Sequence, residues 1–381
     1  MKIKVDKSVL SDAVAPLMGA VSSKNTLAAV EGILITTNGD DGCTLTSFDL
    51  EKGYRTKIPC KVIESGSYII NGSRLNQIVR TMPEGELTIA VDHKLMVKIS
   101  GGKSEFELSA IEGADFPTLP EFKSDIKFTI SQGVLRQMIV RTSFAVGQNE
   151  NRAALNGAYF VFNENGLRIV ACDGNRLAIR DQKCSVNTVT DRKPEISFIL
   201  PGKTLTELLK MLKDEDTKEV TVTVTRRNAV FEAFGILFFS RLIDGEYLAY
   251  SKFIPASSAI RAEIETETFI RSLERAFLVS EDKTLGQTKS YVKCNFSEGV
   301  LMISSVSANG KVYDEIPVEG VEKELQIAFN CRFLLDSLRA CGSEKVVCEM
   351  NSHKTCMLIK PAVHSDDEDF IYLILPMLMK E

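Results

Sequence analysis

The sequence predicts an α+β fold built from three similar domains, each with two helices packed on antiparallel sheets. One pattern, a turn followed by an amphipathic helix with a basic residue near its end, occurs at residues 71–82, 201–212 and 330–341. The copies begin 130 and 129 residues apart. That spacing is far longer than the roughly 20 to 50 residues of a solenoid repeat, so each copy represents a domain of about 125 residues.

Each predicted domain also opens alike, with alternating residues and then a helix whose apolar residues recur three and four positions apart. Pro16 lies in the first of these helices, where it is expected to kink or shorten it. Together with the helices of the first pattern, the predicted helices span residues 7–20, 71–82, 131–146, 201–213, 267–279 and 330–341.

Pairs of alternating or β-branched segments joined by short polar turns predict one β-hairpin near the end of each domain. The pairs are residues 86–91 with 94–99, 219–224 with 229–234, and 346–350 with 355–359. Proline interrupts strand pairing in segments 117–125 and 254–258, which marks the joins between domains. The predicted domains are therefore residues 1–122, 123–255 and 256–381.

Composition bounds the class of protein. The 381 residues are 44% hydrophobic and 25% charged, as in soluble globular chains. No apolar run is long enough to span a membrane, and Asp6 and Asp12 interrupt the N-terminal region where a secretory segment would lie. We therefore expect a cytoplasmic protein with no membrane partner. Nine cysteines, an odd number without Cys-x-x-Cys spacing, predict buried reduced thiols.

No catalytic arrangement is predicted. Residues 101–104, Gly-Gly-Lys-Ser, resemble the end of a phosphate-binding loop, but Val97 stands where that loop needs a glycine, so a plain turn is expected. The three histidines are isolated, and the acidic run at 366–369 is interpreted as a solvated loop rather than a metal site. We predict no catalytic residue, no metal and no cofactor.

The charge is unevenly distributed along the chain. The net charge is −5, yet the six predicted helices together carry +7, which leaves −12 on the rest. Basic helices gathered on one surface would attract phosphates there, while the acidic remainder would repel them elsewhere. The alternative is that the helices only present solvated lysines and arginines.

Specific motifs accompany these helices. The middle domain contains Ala171-Cys-Asp-Gly-Asn-Arg-Leu177, and the chain nearly ends on Tyr372-Leu-Ile-Leu-Pro-Met377. With the segments at 81–85, 114–117 and 155–157, they make the whole chain resemble the bacterial sliding clamps, the beta subunits of DNA polymerase III. The resemblance implies a non-catalytic dimeric ring, joined head to tail, with twelve helices lining a hole for duplex DNA and the sheets outside.

The repeat alignment and the resemblance together nominate basic residues for sequence-independent DNA contacts. Arg80, Lys210 and Arg339 occupy equivalent positions in the three copies, and Lys203 and Arg332 precede the last two by seven residues on the same helix face. Resemblance or position adds Lys24, Arg136, Arg141, Arg152 and Arg271. Phosphate contacts hold DNA without reading its sequence, which suits a protein that slides.

The resemblance also implies a groove between the middle and last domains that receives a short peptide. Cys172 and Asn175 stand where many family members have Thr and His, so a different peptide preference is expected. The matching positions are Leu155, Cys172, Gly174, Asn175, Arg176, Leu177, Leu242, Lys252, Phe253, Leu373, Ile374, Leu375, Pro376 and Met377. The implied partners are the alpha subunit of the replicative DNA polymerase, the clamp loader complex and other proteins with clamp-binding motifs.

Ring closure would pair an edge of the first domain with an edge of the third in a second copy. Matching positions are Arg74 and Phe106 on one side and Leu278, Val279, Asp314 and Glu315 on the other. The alternative for the three apolar residues is a place in the core. Two other functional classes also stay open, a nucleotidyl-transfer or hydrolytic enzyme and a sequence-specific DNA-binding protein.

Overall fold

The computed structural model describes residues 1–22, 27–39, 41–122, 126–163, 166–184, 187–188, 196–215, 217–280, 291–307 and 310–379. The chain divides into two compact units. Unit 1 comprises Met1–Gly133, Asn187–Arg192 and Thr206–Leu242, and unit 2 comprises Val134–Val186, Lys193–Leu205 and Ile243–Glu381. Within the described residues, no helix is both long and apolar enough to cross a membrane.

All six predicted helices are present, two in each repeat. Asn71 and Asn330, at equivalent positions of the repeated turn, cap the second helix of their repeats by accepting a hydrogen bond from a backbone N–H of the first turn. The helices are α1 Lys7–Leu17, α2 Gly72–Thr81, α3 Gln132–Val140, α4 Gly202–Met211, α5 Thr266–Ser280 and α6 Cys331–Cys341.

Two helices end three or more residues earlier than predicted. Helix α1 contains Pro16 in its last turn and continues beyond Leu17 only as the 3-10 turn Met18–Ala20, as the proline led us to expect. Helix α3 ends at Val140 rather than at residue 146. There the Thr142 hydroxyl donates to the Met138 carbonyl at 2.7 Å, and a separate 3-10 turn follows at Ser143–Ala145.

The strands include the predicted hairpins, and the α+β prediction is confirmed. Every strand pairing among the described residues is antiparallel. The strands are β1 Lys2–Asp6, β2 Gly32–Thr37, β3 Gly42–Phe48, β4 Lys52–Pro59, β5 Lys61–Glu64, β6 Ser67–Asn71, β7 Glu86–Val91, β8 Met96–Gly101, β9 Ser104–Glu112, β10 Lys127–Ser131, β11 Gly157–Asn163, β12 Gly166–Cys172, β13 Arg176–Gln182, β14 Asn187–Thr188, β15 Ile196–Pro201, β16 Glu219–Val224, β17 Asn228–Ala233, β18 Ile236–Arg241, β19 Ile260–Glu265, β20 Val292–Ser297, β21 Val300–Ser307, β22 Gly310–Pro317, β23 Leu325–Phe329, β24 Lys345–Met350, β25 Met357–Pro361 and β26 Glu368–Ile374.

The sheets join strands from neighbouring repeats. Unit 1 holds one sheet in the order β14-β10-β16-β17-β18-β4-β3-β2-β6-β9-β8-β7-β1-β5, in which β18 of the second repeat pairs with β4 of the first. Unit 2 holds the sheet β15-β11-β12-β13-β26-β25-β24-β19 and the sheet β22-β21-β20-β23. In the former, β13 of the second repeat pairs with β26 of the third, so each join is made by backbone hydrogen bonds.

A buried arginine reinforces the second join. Arg180 on β13 is 1% exposed, and its guanidinium donates to the carbonyls of Ala340 and Cys341 at the end of α6, each at 3.3 Å. It also donates to the Tyr372 hydroxyl at 3.1 Å and pairs with Glu368, both on β26. One cation therefore satisfies helix-end carbonyls and a carboxylate at the same buried place.

We expect Arg180→Met to lower the free energy of unfolding by about 2–4 kcal/mol, because the carbonyls and the Tyr372 hydroxyl lose a charged donor. Arg168→Met is the matched control. Arg168 pairs with Asp181 in the same sheet at 2.6 Å, but both side chains are well exposed, so that loss is expected to stay below about 1 kcal/mol. Urea unfolding measures both variants, and equal losses would contradict the interpretation.

The cysteines are free, and seven of the nine are buried. Cys184 and Cys356 are partly exposed, so the prediction of buried thiols is confirmed for the other seven. Burial raises the pKa of the Cys331 thiol to about 11 and that of Cys348 to about 12, from an ordinary value of 9.0.

These shifts predict alkaline destabilisation. Above pH 9 the thiols ionise in the unfolded chain while Cys348 keeps its proton in the native state, so the native state binds more protons. The stabilisation is complete below pH 9 and is lost as pH rises toward 12, by up to about 1.4 kcal/mol per pH unit for each such thiol. Urea unfolding from pH 8 to 10.5 under reducing conditions should show a shallower decline for Cys348→Ala than for wild type. Parallel declines would refute the assignment.

Candidate functional site

One face of the larger sheet of unit 2 carries an apolar cluster. Side chains alternate between the two faces of a strand, and the register aligns Cys172 with Leu177, Leu177 with Leu373, and Leu373 with Leu358. These side chains are buried and belong to one cluster that also includes Val170 and Ile179. The alignment of β12, β13, β26 and β25 therefore produces a continuous apolar floor.

Partly buried residues from neighbouring strands, turns and loops border this floor. The ring of Tyr247 stacks on that of Tyr159 with centroids 5.2 Å apart, and burial raises the pKa of the Tyr247 hydroxyl, which stays neutral at physiological pH. These tyrosines could not be nominated from the resemblance, although the hydrophobic run Tyr247-Leu-Ala-Tyr250 is a usable signal. The bordering residues are Leu155, Tyr159, Tyr247, Leu248, Tyr250, Ile254, Cys356 and Ile371.

A polar turn forms one rim of the floor. Asp173 accepts hydrogen bonds from the backbone N–H groups of Asn175 and Arg176, each at 3.0 Å, and Gly174 adopts φ +85°, which suits glycine. Gly174 and Asn175 are exposed. The rim therefore presents backbone and amide groups beside the apolar floor, a combination typical of peptide-binding sites.

The chain end lies against this rim. The N–H of Leu375 donates to the Asn175 carbonyl at 2.9 Å, and the N–H of Met377 donates to the Ala328 carbonyl at 2.8 Å. Leu375 is 43% exposed, and Pro376 and Met377 are half-buried. Backbone hydrogen bonds thus hold Leu375 beside the rim turn and Met377 beside β23.

Five of the nominated groove residues are placed differently. Arg176 and Ile374 lie on the face of the sheet that carries Arg180 and Tyr372, opposite the apolar floor, and Ile374 is fully buried. Lys252 and Phe253 are exposed on the 3-10 turn Tyr250–Phe253. Leu242 belongs to unit 1, where its N–H donates to the Arg227 carbonyl at 2.8 Å.

Most of the basic residues nominated for phosphate contacts are exposed. Within the described ranges, the Arg80 and Lys203 side chains have no ion-pair partner. Lys24 lies outside the described residues. The exposed set is Arg80, Arg152, Lys203, Lys210, Arg271, Arg332 and Arg339.

Several of these basic side chains form an ion pair with a nearby carboxylate. Ion pairs join Lys210 with Glu207 at 2.8 Å, Arg271 with Glu267 at 2.9 Å and Arg339 with Glu274 at 2.6 Å. All three basic side chains are well exposed, so these pairs are weak and exchange readily for a phosphate.

Arg141 differs from the exposed set. Its Nη1 donates to both carboxylate oxygens of Glu368, at 2.9 and 3.0 Å, and its side chain is half-buried. Glu368 is also the partner of Arg180. Arg141 is therefore engaged within unit 2, and Arg136 on α3 is likewise half-buried.

The residues nominated for an interface include unusually exposed apolar side chains. Leu278 on α5 is 84% exposed and Phe106 on β9 is 40% exposed, so neither lies in a core of this chain. Val279 and Asp314 are half-buried, and Arg275 donates to Asp314 at 2.9 Å. Arg74 and Glu315 are exposed. Exposed leucine and phenylalanine rimmed by charges are typical of a protein interface.

In the described part of the chain, no group of three or more His, Cys, Asp or Glu side chains is placed to hold a metal ion. The acidic segment 366–369 instead contributes backbone and side-chain contacts. The Asp367 carbonyl accepts from the Lys183 N–H at 2.7 Å, and Glu368 pairs with two arginines.

Comparison with known proteins covers nearly the whole chain. Family models described as the N-terminal, central and C-terminal domains of the DNA polymerase III beta subunit match residues 1–120, 129–248 and 251–378. The beta sliding clamp of Halalkalibacterium halodurans is 30% identical over 374 residues, with 96% of this chain and 97% of the relative covered. That of Bacillus subtilis is 29% identical over 385 residues, with 99% of each covered.

The fold is also similar to those of solved structures. The DNA polymerase sliding clamp from Bacillus subtilis superimposes with a TM-score of 0.91 at 29% identity over 100% of both chains. The DNA polymerase III beta subunit from Pseudomonas aeruginosa gives a TM-score of 0.88 at 26% identity, again over 100% of both chains.

Proposed function

Because the chain belongs to the DNA polymerase III beta subunit family, the beta sliding clamps, we propose that it encircles duplex DNA and tethers the replicative polymerase. The observation that carries this proposal is the exposed basic residue at the same position of each repeat, Arg80, Lys210 and Arg339. A repeated cation suits a ligand that is itself a repeated anion, and phosphate contacts carry no sequence information.

The exposed apolar residues support the formation of a ring. Two copies joined head to tail bury Leu278 and Val279 of one chain against Phe106 of the other. Charged residues at the edge, Arg74 on one side and Glu315 on the other, add electrostatic complementarity. The ring contains six domains, and topology rather than tight binding keeps it on DNA. We place the domain boundaries at residues 1–122, 123–255 and 256–381.

The apolar floor and its rim are the proposed peptide site. Leucine or aromatic anchors of a partner fit the floor formed around Leu177 and Leu373, while the exposed Asn175 and Gly174 orient the peptide backbone. The partners are the polymerase alpha subunit, the clamp loader complex and other replication or repair proteins. Tethering raises the effective concentration of polymerase at the primer end, so the protein needs no catalytic activity of its own. We place this activity in the cytoplasm.

The decisive experiment tests whether the protein stays on DNA only while the DNA is a closed circle. Loaded by the ATP-driven clamp loader of the same organism, the protein is expected to co-elute with nicked circular DNA in gel filtration and to be lost after the circle is cut once. Leu278→Asp is the matched control. Because Leu278 is 84% exposed, this change leaves the fold intact while opposing dimer formation, so light scattering should give about one chain mass and circles should retain none.

Other outcomes identify the rival classes. Retention on the cut DNA that depends on the fragment sequence would indicate a sequence-specific DNA-binding protein. Metal-dependent nucleotide incorporation or hydrolysis that persists through purification would indicate an enzyme. Either result would overturn the proposed clamp function.

The groove is tested separately by Pro376→Ala combined with Met377→Ala. We expect a fluorescent peptide from the polymerase alpha subunit to bind at least about tenfold more weakly in fluorescence anisotropy, because two apolar contacts at the edge of the site are truncated. Leu378→Ala serves as the control, since Leu378 is 85% exposed and adjacent in sequence. Light scattering should show an unchanged dimer for both. Unchanged affinity in the double variant would place the groove elsewhere.

A further inference from the structure

Arg176 is held from several directions on the face of the sheet opposite the apolar floor. Its Nε donates to Asp173 at 2.9 Å, and its Nη1 donates to Asp336 of α6 at 2.7 Å. The guanidinium lies 4.4 Å from the ring centroid of Phe333 and 5.3 Å from that of Phe144. Only 11% of the side chain is exposed. Two carboxylates and two aromatic rings thus occupy this cation within the chain itself.

The two carboxylates belong to different parts of the fold. Asp173 lies in the rim turn, where it also accepts two backbone N–H groups, whereas Asp336 lies in the middle of α6 in the third repeat. Arg176 therefore connects the rim of the proposed groove with a helix that packs behind the sheet. The hydrogen bond between Arg176 and Asp336 is charge-assisted and largely shielded from water, which makes it stronger than an exposed ion pair.

We infer that Asp336 is a positioning residue of the proposed peptide groove, acting through Arg176 on the rim turn formed by residues 172–176. The inference rests on the proposed peptide-binding function. Neither side chain needs to touch the peptide, because Arg176 points away from the floor while its backbone forms the end of the rim. Asn175, whose carbonyl anchors Leu375, is the adjacent residue, so a shift of Arg176 also moves the tail that borders the site.

The rival explanation is that Arg176 itself binds the peptide. Asp336 distinguishes the two explanations, since it lies on α6 and, among the described residues, its hydrogen bond to the rim is the one that it accepts from Arg176. If Arg176 is a direct ligand, removing the Asp336 charge leaves that ligand in place. If Arg176 is a connector, removing either end of the ion pair has the same consequence, and removing both adds little.

The test uses three variants, Asp336→Asn, Arg176→Ala and the double variant that combines them. A separate control variant, Glu274→Gln, is compared with them. Glu274 is the matched control because it is also a carboxylate paired with an arginine, Arg339, at 2.6 Å, but on exposed helix surface. The probe is a fluorescein-labelled clamp-binding peptide from the polymerase alpha subunit, with affinity measured by anisotropy. Hydrogen exchange at residues 173–177 is measured without peptide, and thermal melting checks that each variant is folded.

We expect Asp336→Asn to lower the affinity for the peptide about tenfold, which corresponds to the loss of one charged hydrogen bond. Arg176→Ala should lower the affinity at least as much, and the double variant should bind no more weakly than Arg176→Ala. Exchange at 173–177 should accelerate in Asp336→Asn, and Glu274→Gln should match wild type in both measurements. Wild-type affinity and exchange in Asp336→Asn would overturn the inference. If the wild type binds no peptide, the proposed groove fails, while the exchange data still decide whether Asp336 positions the turn.

Discussion

The pairing of β13 with β26 is the constraint on which unit 2 depends. These strands come from different repeats, and their register decides what each face of the sheet carries. Even-numbered residues of β13 place Arg176 and Arg180 toward α6, and odd-numbered residues place Leu177 toward the apolar floor. A shift of one residue would exchange these faces and place Asp336 and Glu368, the carboxylate partners of the two arginines, against apolar side chains.

Charged hydrogen bonds stabilise one face of this sheet, and apolar packing stabilises the other. On the α6 face, Arg180 satisfies carbonyls at the end of the helix while Arg176 engages Asp336, so the helix is fixed by charged hydrogen bonds at two places. On the other face, apolar side chains form the floor, and the Arg168–Asp181 ion pair lies farther along the same face. A rigid support behind an apolar surface is what a site for short peptides needs, because a peptide contributes little ordering of its own.

Much of this organisation could be predicted from the sequence, because local patterns determine local structure. The repeated turn identified helices capped by Asn71 and Asn330, and alternation identified the hairpins. Long-range partners could not be predicted in the same way. Nothing near Arg180 in the sequence indicates that it meets the end of α6, and the apolar periodicity does not reveal the hydrogen bond from Thr142 to Met138 where α3 ends. The aromatic border at Tyr247 was missed because its partner, Tyr159, lies far away in sequence.

The equivalent basic residues of the repeats determine how the proposed DNA contacts tolerate change. In the proposed ring of two chains, Arg80, Lys210 and Arg339 supply six cations of the same kind, so the loss of any one position leaves four to hold the DNA. The floor around Leu177 occurs once per chain and has no such redundancy. Substitution in the proposed groove is therefore expected to cost more function than substitution of any one of the repeated cations.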